Sequence, residues 1–206
     1  MRQLVLASGN RGKLREFAAL FAPLGVCVVG QDTLGLSPAE EPFATFLENA
    51  LHKARHASAA SGLPALADDS GICLAALNHR PGVLSARWAA LHAGGEGDLA
   101  NNKMVNQQLA GRSSEATYVC CLVLVRAADD PLPIVAQALW QGSWLPEPRG
   151  EGGFGYDPHF LPHGSPMSAA QMDAGEKNRI SHRAKATTLL VAALRHPGYL
   201  EPGTVL

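Results

Sequence analysis

A chain of 206 residues with 47% hydrophobic side chains can bury a core of its own, without disulfide or metal staples. Its 17 basic and 18 acidic residues leave a formal net charge of -1, so there is no global field for a polyanion; a nucleic-acid polymer is excluded as the default partner and any anion binding must be local. The four cysteines show no C-x-x-C spacing and read as reduced core thiols, and the apolar stretch Leu4-Val5-Leu6-Ala7 is too short for a signal peptide or membrane span, which together predict a cytoplasmic protein.

Residues 4–7 read as a buried strand, after which Leu14, Phe17, Ala18, Phe21 and Leu24 recur at helical spacing. The link between them, Ser8-Gly9-Asn10-Arg11-Gly12-Lys13, sets two glycines, a hydroxyl, an amide and two cations at a helix N-terminus, where free N–H groups and the helix dipole favour anions. It is not a Walker A loop, because only Asn10 and Arg11 separate the glycines and Leu14 stands where a magnesium-binding Ser or Thr is required. The motif fits a phosphate cradle and an ordinary strand-to-helix turn equally well.

Residues 26–29 form a second short strand, followed by a loop over residues 31–42 with an acidic tip, Glu40-Glu41. Thr45 with Glu48 three residues later marks the start of a long helix, in which Leu47, Leu51, Ala54 and Ser58 trace one face. Asn49 and Lys53 share a helical face and can reach one phosphate or carboxylate cluster, although a solvated polar face explains them too. His52 and His56 have the same spacing but no third ligand, which argues against zinc.

Residues 64–67 read as a short strand that ends in Asp68-Asp69-Ser70-Gly71. Adjacent carboxylates at a strand end repel unless a cation compensates; magnesium, shared with substrate phosphates, is one answer and a solvated chain reversal the other. Residues 98–109 suggest a helix, and residues 117–126 and 134–144 are strong strand patterns, joined so as to pair antiparallel in a mixed sheet. Residues 146–166 are crowded with Gly and Pro; within them Gly152-Gly153-Phe154-Gly155-Tyr156-Asp157-Pro158 suits either a pocket where a ring stacks a planar base or a tight turn with core aromatics. Ser181 opens a last helix through Ala184, Leu189, Leu190 and Leu194, and Lys177, His182 and Arg183 gather positive charge at its start, where an anionic or carbonyl-rich ligand, or solvent alone, compensates.

In this order, Ser8 to Lys13, Glu48-Asn49-Ala50, Ala67-Asp68-Asp69-Ser70-Gly71, Pro81-Gly82 with Ser85-Ala86-Arg87, Gly152 to Pro158 and Ser181-His182-Arg183 resemble the inosine triphosphate pyrophosphatase family, the Ham1-like non-canonical purine NTP pyrophosphatases, over nearly the whole chain. The resemblance implies a single α/β domain over residues 1–206: an elongated, two-lobed fold around a long mixed β-sheet with flanking helices, a nucleotide cleft between the lobes, and a homodimer. It implies hydrolysis of ITP, dITP and XTP to the monophosphate and pyrophosphate, which cleanses the nucleotide pool. By matching position, Ser8, Gly9, Asn10, Arg11, Gly12 and Lys13 bind the triphosphate, and Asp69 is general base and metal ligand. Glu40, with Glu41 as its alternative, helps hold Mg2+, while Lys53 and Asp68 support phosphate and metal. Ser70, Phe154, Gly155, Tyr156, Asp157, Lys177, His182 and Arg183 contact the substrate, the later ones mainly at the base.

The chain departs from the family pattern at Ser8, where Thr is commoner, at Asn78-His79-Arg80, where glycines are usual, and at Leu84 and Trp88, where tyrosines are common. Two competing readings are a pyrophosphatase for pyrimidine nucleotides and a nucleotide-binding regulator without turnover. The base-facing motifs oppose the first, and Lys13, Asp68 and Asp69 oppose the second.

Overall fold

The computed structural model describes residues 2–195. In chain order the regular elements are β1 (Arg2–Leu6), α1 (Arg11–Phe21), β2 (Val26–Gly30), α2 (Phe46–Ser61), β3 (Ala65–Leu74), β4 (Arg80–Pro81), α3 (Asp98–Leu109), β5 (Glu115–Val125), β6 (Ile134–Trp144), β7 (Phe160–Pro162), α4 (Ala174–Ile180) and α5 (His182–Leu194). Among the described residues the strands form a seven-stranded sheet of order β2-β1-β3-β5-β6-β7, with β4 on β3. The β1–β2 and β1–β3 pairs are parallel and the β3–β4 and β6–β7 pairs antiparallel, so the sheet is mixed. β5 and β6 are neighbours, as their patterns predict.

The chain divides into two compact units. One comprises residues 2–69, 121–137 and 186–195; the other comprises Ser70–Cys120 and Ala138–Lys185. The dividing points fall inside β3, β5, β6 and α5.

The first unit has a core of small side chains. Ala50, Ala54 and Ala57 of α2 pack on Val5, Ala65 and Ala67 and on Cys121, Val123 and Val125, the alternate residues of β5. α2 therefore buries a face set by alanines and Asn49, and Leu47, expected on that face, is exposed. Thr45 caps the helix by accepting from the Glu48 amide at 3.2 Å, but the Glu48 carboxylate takes the Thr45 hydroxyl at 2.6 Å instead of closing a capping box on the backbone. In the same unit Asp130 closes the connection after β5: its carboxylate accepts from the Arg126 side chain at 2.6 and 2.9 Å and from the amides of Arg126 and Leu132 at 2.9 Å each.

The second unit has an aromatic core. Trp88, Tyr118, Trp140, Trp144, Tyr156 and Phe160 are buried with Ile72, Leu74, Val105 and Leu109. Trp88, one of the departures, is satisfied there, its indole N–H donating to Gln108 at 3.0 Å. Asn78 and His79, the other, both adopt left-handed backbone, at φ 51° and 62°, where glycine meets least strain.

One expectation is corrected. The strand over residues 64–67 does not end at the acidic pair: β3 runs ten residues, Ala65–Leu74, and carries Asp68 and Asp69 in its interior. Gly71 is no strand terminator; a Cβ there would run into the Gly82 carbonyl and lie 2.5 Å from Ser85 Oγ, so the position serves close approach rather than a turn. The last helix is preceded by α4, whose N-cap Asp173 accepts from the Glu176 amide at 3.0 Å. Its signal, Asp followed three residues on by Glu, was present in the chain.

The Arg126 fork holds the Asp130 carboxyl well below the usual carboxylate range, overriding the opposing effect of burial. Stability from a depressed carboxyl is fully present above the unfolded-state pKa and lost as pH falls through the ordinary carboxylate range towards the folded value. Asp130→Asn should therefore cost ~1–3 kcal/mol at neutral pH, with the gap from wild type narrowing as pH falls below about 4. Urea titrations at both pH values check this; a gap independent of pH contradicts it.

Candidate active site

In the first unit the functional side chains converge through two ion pairs that begin on adjacent residues of β3. Successive strand residues face opposite ways, and each carboxylate finds a lysine from a different helix. Asp68 pairs with Lys13 of α1 at 2.5 Å, and Asp69 with Lys53 of α2 at 2.8 Å. Lys53 also holds Glu41 at 2.8 Å, which brings the acidic loop tip to the same cation. Asn49, buried, exchanges two hydrogen bonds with the backbone of Phe43, at 3.0 and 3.2 Å, and donates to Asp69 at 3.4 Å. One amide thus fixes both the loop that carries Glu41 and the second oxygen of Asp69.

The charges decide how the group titrates. Burial raises the Asp69 carboxyl from its ordinary value, against the pull of Lys53, and Glu41 adds to the rise. Burial pulls Lys53 down, but Asp69 and Glu41 together outweigh it and leave the ammonium firmly charged. An acid shifted towards neutrality beside a fixed cation suits proton transfer.

Ser8, Gly9, Lys13, Glu41, Lys53 and Asp68 line a cavity of about 240 Å³, together with Gln31, which the sequence reading did not single out. Asn10 does not line it. Its side chain caps α1, accepting from the amides of Gly12 at 2.8 Å and Lys13 at 3.1 Å, and its own amide donates to Ser8 Oγ at 3.2 Å. Two of the free amides on which an anion cradle relies are therefore already taken. Arg11 and Gly12 are exposed at the helix start, and Glu40 is exposed beside the cavity-lining Glu41.

The second unit holds a separate cavity of about 160 Å³, lined by Ser70, Phe154, Gly155, Tyr156, His182 and Arg183 among the expected residues and by Ser85, Asp98, Asn101 and Tyr118 besides. Phe154 is 58% exposed, so its ring is available for stacking. Lys177 Nζ stands 4.6 Å and the Arg183 guanidinium 5.5 Å from the ring centroid, within cation–π range. His182 stacks on Tyr118 at 4.6 Å with the rings 2° from parallel.

Asp157 differs in kind from its neighbours. It is 2% exposed and fully engaged, accepting from the Phe154 amide at 2.8 Å, the Tyr118 hydroxyl at 3.3 Å and the Lys177 ammonium. It anchors the glycine loop and aims Lys177. Gly153, at φ 76°, permits this, because a Cβ there would overlap the Asp157 carboxylate. Gly153→Ala should therefore lower stability by ~1–3 kcal/mol; an unchanged denaturation midpoint would contradict this account of the loop.

Among the described residues no group of three or more His, Cys, Asp or Glu stands close enough to hold a metal ion by itself. The oxygen donors present, Asp68, Asp69 and Glu41, suit a hard cation that completes its coordination with phosphate and water, which is how Mg2+ is usually bound. They do not suit zinc, which takes nitrogen and sulfur in structural sites.

Comparisons with known proteins identify the family. The model of the Ham1 family matches residues 4–193. A dITP/XTP pyrophosphatase of Ralstonia nicotianae is 58% identical over 196 residues, 95% of this chain and 98% of the relative. One from Chromobacterium violaceum is 55% identical over 94% of this chain and 97% of its own. A solved HAM1 protein from Coxiella burnetii superposes with a TM-score of 0.89 at 40% identity, covering 94% of this chain and 98% of that one. By sequence over nearly its full length, and by fold, this chain belongs to the Ham1 family.

Proposed function

We propose that the protein hydrolyses non-canonical purine nucleoside triphosphates, ITP, dITP and XTP, to the nucleoside monophosphate and pyrophosphate, and so keeps deaminated purines out of DNA and RNA. The observation that carries the reading is the buried Asp68-Asp69 pair, each carboxylate matched to a lysine beside a phosphate-sized cavity, with Ser70 of the same strand lining an aromatic, cation-rimmed pocket. The names of the relatives point to the same reaction.

In the proposed mechanism Lys13, Ser8 and Gly9 receive the triphosphate, with Arg11 adding charge at the helix start. Asp69 accepts a proton from a water that attacks the α-phosphorus. The bond between that phosphorus and the α–β bridging oxygen breaks, and the electron pair leaves with pyrophosphate, whose charge Lys13 and Lys53 balance. Asp69 and one of Glu40 and Glu41, with Asp68 in support, would share Mg2+ with the phosphates; the ion would supply Lewis-acid neutralisation of the phosphate oxygens. No covalent intermediate is needed.

At the base, Phe154 supplies the stacking face while Lys177, His182 and Arg183 supply donors for the 6-oxo group that distinguishes hypoxanthine and xanthine from adenine. A site that meets a carbonyl with donors leaves them unpaired against a 6-amino group, which is how a polar pocket rejects an analogue strongly.

The four free cysteines suit the reducing cytoplasm, and among the described residues no helix is long and apolar enough to cross a membrane. Assembly as a homodimer belongs to the same proposal and follows from the family resemblance; light scattering checks it.

Asp69→Asn should lower kcat for dITP by at least ~100-fold, as expected for a general base, while the far-ultraviolet circular dichroism stays unchanged. A folded variant with near-normal turnover would refute the assignment.

A further inference from the structure

Helix α3 approaches the walls of the base pocket with polar side chains. Asn101 accepts from the Ala89 amide at 2.8 Å and donates to the Ala86 carbonyl at 3.2 Å, which ties down the segment after Ser85. Asp98 and Asn102, four residues apart and so on one helical face, take the two polar groups of Gly155. The Asp98 carboxylate accepts from the Gly155 N–H at 2.5 Å, and Asn102 Nδ2 donates to the Gly155 carbonyl at 2.9 Å. Gly155 sits at φ 63° between Phe154 and Tyr156 and has no side chain with which to anchor itself.

Asn102 is kept at a cost. The residue is 6% exposed, and its Oδ1 is buried without a hydrogen-bond partner. A leucine would remove that orphan oxygen but leave the Gly155 carbonyl without its Nδ2 donor, so what the amide supplies is its bond to Gly155. Asp98, exposed in the first turn of α3, is well placed for its charge by the helix dipole and spends one oxygen on the same peptide.

We propose that Asp98 and Asn102 form a clamp that fixes the backbone of Gly155 and thereby the pose in which Phe154 meets the purine. They are positioning residues for base recognition, acting through Gly155. The inference rests on the function proposed above and deepens it: recognition of the base depends on α3, whereas the phosphate-binding residues belong to the first unit and do not.

The test is steady-state kinetics of the full chain on dITP with Mg2+, with tripolyphosphate as a competitive inhibitor that lacks a base. Asp98→Ala and Asn102→Leu should each raise KM by about 10-fold with kcat changed less than about twofold, the pattern for lost binding common to ground and transition states. The tripolyphosphate inhibition constant should stay at the wild-type value. Asp98→Asn, which keeps an acceptor for the Gly155 N–H, should restore most of the KM. An unchanged KM in both variants, a joint loss of kcat and tripolyphosphate inhibition, or no rescue by Asp98→Asn would overturn the clamp. If the wild-type chain does not turn over dITP, the proposed function fails first. The clamp is then read from hydrogen exchange at the Gly155 amide, which Asp98→Ala must accelerate at least ~10-fold; unchanged exchange would overturn it.

Discussion

The first unit is organised around two aspartates placed where a strand would ordinarily carry apolar residues. Isolated, the buried carboxylates would each cost several kcal/mol of desolvation and would repel one another. Lys13 and Lys53 remove the difficulty by approaching from two different helices, so β1, α1, α2 and β3 must be assembled together before either charge is tolerable. The alanines of α2 serve the same end, since only small side chains let that helix lie close enough to the sheet for Lys53 to reach Asp69 and Glu41. A buried ion-pair cluster of this kind is weak as a stabilising device. It suits the catalytic role proposed for it, because it holds a carboxylate, a cation and further oxygen donors in fixed geometry.

The second unit solves a different problem with different residues. A pocket for a planar ring needs rigid walls, and the aromatic core beneath it supplies them: Tyr118 packs on Phe160 at 4.8 Å and stacks with His182, while the Tyr156 hydroxyl donates to the Ser85 carbonyl at 2.8 Å. The glycine loop above is held by Asp157 from below and by α3 from the side. The α3 contacts, from Asp98 and Asn102, hold Gly155, which has no side chain of its own.

How far the chain could be read without coordinates follows from which interactions are local. Helix α3 and strand β6 coincide with their periodic patterns, and the Thr45 start of α2 is a cap visible within four residues. What escaped was tertiary. Asp68 and Asp69 look like a turn because their partners lie 55 and 16 residues away, and only the assembled fold reveals a ten-residue strand running through them. Helical spacing leaves Asn49 open between a carboxylate cluster and a solvated face, and nothing local shows that Phe43 and Asp69 lie beside it. Asp157 reads as a reader of base edges, yet the fold surrounds it with donors of its own. The residues of both cavities are largely named by motif; Gln31, Asp98, Asn101 and Tyr118 carry no motif signal, and geometry alone identifies them, while Ser85 lies in a family motif that assigns it no role.

The account stands or falls on where water attacks. The proposed base at Asp69, beside Lys53 and Glu41, calls for displacement at the α-phosphorus, with pyrophosphate leaving intact. Hydrolysis of dITP in 18O-labelled water, with mass analysis of both products, reads this directly. The label should appear in the monophosphate and be absent from pyrophosphate; label in pyrophosphate, or release of orthophosphate as the first product, would contradict the central claim.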